Sequence, residues 1–282
     1  MRVQSTLATL GLSLLVGSCW GQNFDATDVI FYASFDQGVD ADLAKGDSSL
    51  YTAPSLARKS FDKGLHTDAV ERREGGGKFG GCLQFLRKSK EVVLFKGRGN
   101  IGYSKEPYSS TISFWMKLDP AKDLPTGYVD PLQVTDKTWN DASIFVDFTQ
   151  ENPRDFRLGV FSDLKFWNSD GKKIDDIPDS DRPLVPVRKP PFSADRWTHI
   201  AICLENINGE GDAGSELFID GVSQGKLNQP QRFTWDLDQV VIMLGIYYVG
   251  GIDEFAVFNR KLNQNEIDSI AKSKERLIEL PQ

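Results

Sequence analysis

Three acidic residues that lie close together in the sequence are the first candidates for catalysis. Glu210, Asp212 and Glu216 occur within one short segment. Enzymes that hydrolyse glycosidic bonds use two carboxyl groups, about 5 Å apart in the retaining type, and hold them rigidly. Here Gly, Ala and Ser separate the carboxylates, a composition typical of a flexible hairpin loop. We therefore predict that this segment is not catalytic.

The two histidines and a glycine-rich segment are the other candidates for nucleophilic, metal-binding or nucleotide-binding groups. Neither His66 nor His199 has a Ser or Cys elbow beside it or a second His at metal-binding spacing. The segment Gly97–Gly102 fits a dinucleotide fingerprint, but Tyr103–Pro107 would interrupt the helix that must follow it. We predict a structural role for His199 and a turn at the glycines.

Six aromatic residues are not explained by the strands that the sequence predicts: Tyr128, Trp139, Trp167, Trp235, Tyr247 and Tyr248. Flat rings stack on the apolar side of a sugar, and nearby Asp or Asn residues accept its hydroxyls. The ligand contacts that we predict are Trp139, Trp167, Tyr247 and Tyr248. Single aromatics also occur on inert surfaces and in cores, so a structural role is the alternative for each.

Strands must position these residues, because the hydrophobic pattern is that of β-sheets. Apolar and other residues alternate from Thr111 to Leu118, with the period of two typical of a strand. Short apolar segments such as Val29–Phe35 and Glu91–Phe95 end at turn residues. One helix is predicted after Asn263, which forms a capping box with Glu266. The sequence therefore predicts an all-β fold.

The middle of the chain is less regular than the rest. Between about 119 and 195 we expect strands around Ser143–Phe148 and Phe156–Phe161 within an enlarged loop region. The part from Asp170 to Pro191 is rich in Asp, Lys and Pro and is expected to form a long exposed loop. Because such loops often carry function, Trp139 and Trp167 rank first among the aromatic candidates.

The first residues resemble an export signal. Arg2 precedes the apolar run Leu7–Val16, which small residues follow and which is too short to span a membrane. We expect a signal peptide at residues 1–21 and a mature single domain at 22–282, secreted to the extracellular space or periplasm. Lipid attachment at Cys19 is the alternative.

Charge and cysteine content limit the partners and the redox chemistry. The 282-residue chain has a formal net charge of −7 and no basic block, which disfavours nucleic acid as a partner. Cys82 and Cys203 each lie in an apolar segment. They form either a disulfide, which an oxidising compartment would preserve, or two buried thiols that fill the core.

Several segments resemble the laminin-G-like domain family, a group of concanavalin A-like jelly rolls. The resemblance lies in segments that occur in the family's order: Gly77–Phe85, Thr111–Lys117, Trp197–Ala201, Leu217–Gly221 and Gly251–Arg260. It implies a sandwich of two curved antiparallel sheets with about 12 to 14 strands and a short C-terminal helix.

The resemblance also implies a structural calcium ion. Asp253 has the same parity as Phe255 and Val257, which would place a carboxylate on the core side of its strand. In the family the matching position contributes to a calcium site near the end of the first strand, where Asp36 is the nearest acidic residue. The alternative is that Asp253 accepts backbone N–H groups or pairs with Arg260.

The function that these observations predict is that of a secreted, non-catalytic binding module, with a polysaccharide or cell-surface glycan as its partner. An extracellular adhesion or protein-interaction domain is the alternative, because one fold serves both functions. A laminarinase-like glycoside hydrolase is a more distant alternative, which a pair of carboxylates within the concave sheet would favour.

Overall fold

The computed structural model describes residues 25–278, so the predicted signal peptide and Cys19 lie outside the described residues. The strands, in chain order, are β1 (Val29–Ala33), β2 (Leu43–Ala44), β3 (Leu50–Ala53), β4 (Asp62–Lys63), β5 (Val70–Arg73), β6 (Cys82–Phe85), β7 (Val92–Lys96), β8 (Tyr108–Lys117), β9 (Val129–Thr138), β10 (Asp141–Phe148), β11 (Phe156–Phe161), β12 (Leu184–Val187), β13 (Thr198–Ile207), β14 (Gly214–Ile219), β15 (Val222–Leu227), β16 (Val241–Ile246) and β17 (Gly250–Phe258). The helices are α1 (Leu164–Trp167) and α2 (Gln264–Lys272), with short 3-10 turns at Ala26–Asp28, Ile174–Asp176 and Asp179–Asp181.

The strands form two antiparallel sheets. Sheet A has the order β15-β14-β13-β8-β17-β1-β2, and β6 joins its β17 and carries β5. Sheet B has the order β12-β11-β10-β9-β16-β7-β3-β4. The fold prediction of a two-sheet antiparallel sandwich with a short C-terminal helix is confirmed.

The main core lies between the two sheets and follows the alternation that the sequence shows. In β8, Ile112, Phe114 and Met116 belong to this core, whereas Trp115 between them does not. Every second residue therefore faces the opposite sheet, as the strand period requires.

Helix α2 covers the outer face of sheet A. Its cap is the predicted one: Asn263 accepts the N–H groups of Asn265 and Glu266, and the Glu266 carboxylate accepts the Asn263 N–H. Ile267 and Ile270 belong to an apolar cluster on this face of the sheet. The outer face of sheet A is thus largely committed to packing.

The middle region from 119 to 195 is more regular than its composition predicts. Strands β9 to β12 all belong to it and form one end of sheet B. Strand β9 was not predicted, because Asp130 and Gln133 interrupt its apolar pattern. They lie on the outer face, while Leu132 and Val134 face the core.

Cys82 and Cys203 are both buried and free. Burial raises the pKa of each thiol to about 11, since the thiolate would lose its hydration. The structure therefore supports the interpretation of two apolar fillers. No helix among residues 25–278 is long and apolar enough to cross a bilayer.

Candidate binding groove

A groove of about 600 Å³ lies on the outer face of sheet B. Its floor is formed by β9, β10 and β11, and its walls include residues of the loops 54–61 and 168–183. The outer face of β3, β7 and β16 carries an apolar cluster that Leu56 and Phe61 cover. Because that half of the face is covered, the groove is confined to the half built from the middle region of the chain.

One end of the groove is aromatic. Trp139, in the turn between β9 and β10, is 42% exposed. Its ring packs edge-on against Phe161, with centroids 5.6 Å apart, and Phe161 stacks on Phe145 at 5.5 Å. A Cβ on Gly159 would lie 2.2 Å from Cζ of Phe145, so the absence of a side chain there makes room for that ring. Trp139 is therefore supported by two phenylalanine rings where it lines the groove.

Of the four predicted ligand contacts, the structure brings Trp139 and Tyr247 to the groove. Tyr247 also lines the groove, and the ammonium group of Lys88 lies 5.0 Å from its ring centroid. Trp167 supports the site from behind, since its ring packs against Phe161 at 4.9 Å and its indole N–H donates to the Asn140 carbonyl at 2.9 Å.

Tyr248, the fourth predicted contact, is fully buried. Its hydroxyl donates to the Gly251 carbonyl at 3.1 Å, and its ring packs 5.6 Å from that of Phe85. The preceding residue, Tyr247, has a φ of 57°, in the left-handed region of a tight turn. This turn directs one ring to the groove and the next into the core, so Tyr248 does not belong to the site.

The floor of the groove carries a buried ion pair. Arg157 on β11 donates from Nε and Nη2 to the two oxygens of Asp147 on β10, at 2.9 and 2.5 Å. The ring of Tyr128 lies 5.1 Å from the same guanidinium. Beside them, the pKa of Asp130 is raised well above its usual value by burial and by the charge of Asp147. Asp130 therefore keeps its proton to a higher pH than a free aspartate does.

Asp130 and Asp147 are carboxyl groups on neighbouring strands, which makes glycoside hydrolysis an explicit alternative. A catalytic base or nucleophile must reach the sugar or a water molecule. The side chain of Asp147 is only 5% exposed, and Arg157 occupies both of its oxygens. Attack by Asp147 would require that ion pair to break. The geometry thus favours binding over hydrolysis.

The acidic segment Glu210–Glu216 does not line the groove. Glu210 and Asp212 are in the loop between β13 and β14, as expected. Glu216 lies on β14, accepts a hydrogen bond from Ser223 and pairs with Lys226 at 3.2 Å. The backbone carbonyls of Glu210 and Asp212 accept hydrogen bonds from the Asn206 side chain, so this segment makes structural contacts.

The strand carrying Asp253 contains a bulge that changes its parity. The register shifts between Asp253 and Ala256, and Glu254 has a φ of 51°. Asp253 pairs with Trp115 across the strands and shares its outer side, whereas Phe255 belongs to the main core. The expectation that Asp253 faces the core side was therefore wrong.

The two predicted calcium ligands are bound by hydrogen-bond donors. Asp253 accepts the backbone N–H groups of Lys78, Phe79 and Glu254, at 2.6, 3.2 and 2.8 Å. Asp36 accepts the Gly81 N–H at 2.6 Å and pairs with Arg276 at 2.7 Å. Residues 25–278 contain no cluster of three or more acidic, His or Cys side chains arranged for a metal. Protein donors therefore already bind both carboxylates, and the predicted calcium site remains to be tested by measurement.

Sequence reasoning missed Arg58, Asp130, Asp147 and Arg157. Asp147 and Arg157 each interrupt an apolar strand, and the signal that could have identified them is an opposite charge on the next predicted strand. Arg58 and Asp130 give no comparable signal, because they reach the groove through contacts between distant segments.

Known proteins include a family and several solved structures that resemble this chain in sequence pattern or in fold. The model of the concanavalin A-like lectin/glucanases superfamily (Laminin_G_3) matches residues 100–268. No curated protein matches the sequence.

Solved structures with a similar fold include domain 4 of AbnA, an extracellular GH43 arabinanase from Geobacillus stearothermophilus, in complex with arabinotriose. It has a TM-score of 0.53 and 15% identity, with 87% of this chain and 100% of that chain covered. The receptor-binding domain of the botulinum neurotoxin C/D mosaic serotype has a TM-score of 0.56 and 12% identity, with 87% of this chain and 51% of that chain covered. The binding domain of Paraclostridial Mosquitocidal Protein 1 has a TM-score of 0.51 and 15% identity, with 87% of this chain and 52% of that chain covered. At these identities the likeness shows the fold alone.

Proposed function

Because the chain belongs to the concanavalin A-like lectin/glucanase superfamily, we propose that it is a non-catalytic module that binds a carbohydrate in the groove over β9 to β11. The observation that carries the proposal is an exposed indole, Trp139, that packs on Phe145 and Phe161 beside a polar groove floor. A pyranose ring offers an apolar face to an aromatic side chain and hydroxyls to polar groups.

The polar floor supplies the hydrogen-bonding groups that a sugar needs. Gln133 and Asp130 both line the floor, burial raises the pKa of Asp130, and Arg157 is fixed by its ion pair with Asp147. Donors and acceptors held in place before binding cost little conformational entropy when the ligand arrives. The complex of the arabinanase domain with arabinotriose gives independent support, since that fold also accommodates an oligosaccharide.

Secretion belongs to the same proposal. The predicted signal peptide at residues 1–21 would direct the domain at 22–282 out of the cytoplasm, where polysaccharides and cell-surface glycans are available. Its partner would then be an extracellular glycan, and no nucleic acid or membrane span is involved in the proposal.

The test is glycan-array binding followed by calorimetric titration of residues 22–282. Trp139→Ala should weaken binding of any captured glycan at least about tenfold, which corresponds to about 1.4 kcal/mol. Phe166→Ala is the matched control, because Phe166 is 45% exposed and does not line the groove. If both variants bind like the wild type, the ligand does not lie on Trp139.

The same experiment separates the alternative functions. An adhesion or protein-interaction domain would capture no glycan, and the Trp139 and Phe166 variants would be equivalent. A hydrolase would shorten the captured polysaccharide during prolonged incubation, and Asp147→Asn would stop this. A carbohydrate-binding module leaves the polysaccharide intact.

A further inference from the structure

One cation in the groove lacks a carboxylate partner. Arg58, in the loop between β3 and β4, is partly buried and lines the groove. Its Nη1 donates to the Leu56 carbonyl at 2.9 Å and lies 3.5 Å from the sulfur of Met243, while Nη2 donates to the Lys137 carbonyl at 2.9 Å. Within residues 25–278, no carboxylate lies within 4 Å of the Arg58 guanidinium.

The other basic residues of the groove are paired. Arg157 is bound to Asp147, and Arg182 lies 2.8 Å from Asp179. The ammonium group of Lys137 lies 3.3 Å from Asp163 and 3.5 Å from Asp141. These charges are compensated within the protein, which distinguishes Arg58 from them.

Burial acts on Arg58 in the direction expected for an uncompensated cation. Loss of hydration lowers the pKa of its guanidinium, and the more distant charge of Asp136 opposes this only in part. A guanidinium has five N–H groups, of which the contacts above use three. No partner among the described residues binds the Nε–H or the second Nη2–H, so two N–H groups of this guanidinium are left to donate to a carboxylate.

Arg58 and Trp139 lie at the same end of the groove. Nη2 of Arg58 binds the carbonyl of Lys137, which is two residues before Trp139 in the turn between β9 and β10. A sugar ring on the indole would thus bring an exocyclic substituent close to the guanidinium. From this arrangement we propose that the groove selects a uronic acid, whose planar carboxylate pairs with Arg58 while its ring stacks on Trp139. This inference rests on the proposed function.

The attraction is local rather than global. The formal net charge of the chain is −7, which opposes the approach of a long polyanion. A single carboxylate within reach of a half-buried guanidinium interacts through a lower effective dielectric and is screened less by salt than surface charges are. Short acidic oligosaccharides are therefore the suitable probes.

The experiment is calorimetric titration of residues 22–282 with a panel of oligouronates built from galacturonate, glucuronate, mannuronate or guluronate. Each is compared with its methyl ester, which keeps the ring and removes the charge, and with a sulfated oligosaccharide. The wild type should bind at least one oligouronate about tenfold more tightly than its ester. Arg58→Gln should reduce this preference to within about twofold and leave binding of the ester intact.

Arg188→Gln is the matched control, because Arg188 is exposed and does not line the groove. It should keep the preference, and thermal unfolding should show that both variants are folded. If the wild type prefers the ester or the sulfated sugar, or if Arg58→Gln keeps the preference, the inference is overturned while the proposed function stands. If no sugar binds, charged or neutral, both are overturned.

Discussion

At the scale of single residues, two buried ionisable groups on the outer face of sheet A lead to predictions about stability. His199 is fully buried, its Nε2 lies 2.8 Å from Ser113 Oγ, and its ring packs against Trp115. Asp253 is also fully buried, and its carboxylate accepts hydrogen bonds from three backbone N–H groups. Both residues belong to the structure of the sandwich and not to the groove.

The first prediction concerns His199. Burial lowers its pKa to about 4, against an ordinary value of 6.5. Above pH 6.5 neither the folded nor the unfolded state carries this proton, so the residue contributes no pH dependence there. Between pH 6.5 and 4 only the unfolded state takes up the proton, so stability is lost as the pH falls, by up to about 3 kcal/mol.

Denaturant unfolding of the wild type and of His199→Gln at several pH values checks this. The difference between their free energies of unfolding should change through that window and be constant above it. A difference that is the same at pH 4.5 and pH 7.5 would show that the histidine is not held neutral by its surroundings.

The second prediction concerns Asp253. Replacing it with Ala leaves one buried and two partly buried N–H groups without an acceptor and should lower the free energy of unfolding by roughly 3 kcal/mol. Asp238→Ala is the control, since Asp238 forms an exposed ion pair with Arg98 and its loss should cost well under about 1 kcal/mol. Denaturant unfolding measures both changes.

Thermal unfolding of the same variant also tests the predicted calcium site. Because N–H donors and Arg276 already bind the oxygens of Asp253 and Asp36, we expect the same melting temperature in calcium and in chelator. A ligand that binds only the folded state raises the melting temperature. A rise with calcium in the wild type that Asp253→Ala abolishes would instead establish the metal site.

At the scale of elements, the structure assigns a role to the loop between α1 and β12. Ile174, Asp175 and Asp179 line the groove, and Asp179 also pairs with Arg182. Shortening Asp170–Asp181 to a Gly-Ser turn should weaken glycan binding at least about tenfold by removing one wall. The melting temperature should also fall, because the segment contains the buried Ile177 and an Asp179 that pairs with Arg157 and Arg182.

Shortening the loop at Glu210–Ala213, which does not line the groove, provides the comparison and should leave glycan affinity unchanged. Calorimetric titration of both variants decides the matter. Full affinity after removal of Asp170–Asp181 would mean that this wall takes no part in binding.

Elements with a local signal were predictable, whereas those that depend on distant contacts were not. The alternation in β8 and the cap of α2 depend only on residues that are close in the sequence, and both were predicted. Strand β9 was missed because its outer residues are polar. Their polarity is explained only by the groove that they line, which the sequence does not show. The bulge at Asp253 was missed because no residue near it marks a shift of register.

The candidate site was predictable in the same partial way. Composition pointed to the middle region and to Trp139, since a large ring in a polar segment lacks a local reason. It could not separate Tyr247 from Tyr248, because a single turn residue with positive φ decides which ring is buried. Nor could it find Arg58, which comes from a loop far from Trp139 in the sequence.

At the scale of the whole molecule, the two sheets have different tasks. Helix α2 covers the outer face of sheet A, and the loop containing Leu56 and Phe61 covers half of the outer face of sheet B. The remaining half carries the groove. This division explains why the family's segments predict the fold well, since they lie in sheet A, while the groove is built from the less regular middle region.

The central claim is that a carbohydrate lies in this groove, and a crystal structure of residues 22–282 with the tightest glycan from the array tests it most directly. We predict a sugar ring stacked on Trp139, about 4 Å from the indole plane, with its polar groups directed toward Arg58 and the floor of β9 to β11. A glycan bound on sheet A, for example in the cleft between Glu205 and Lys226, with the groove unoccupied, would contradict the account.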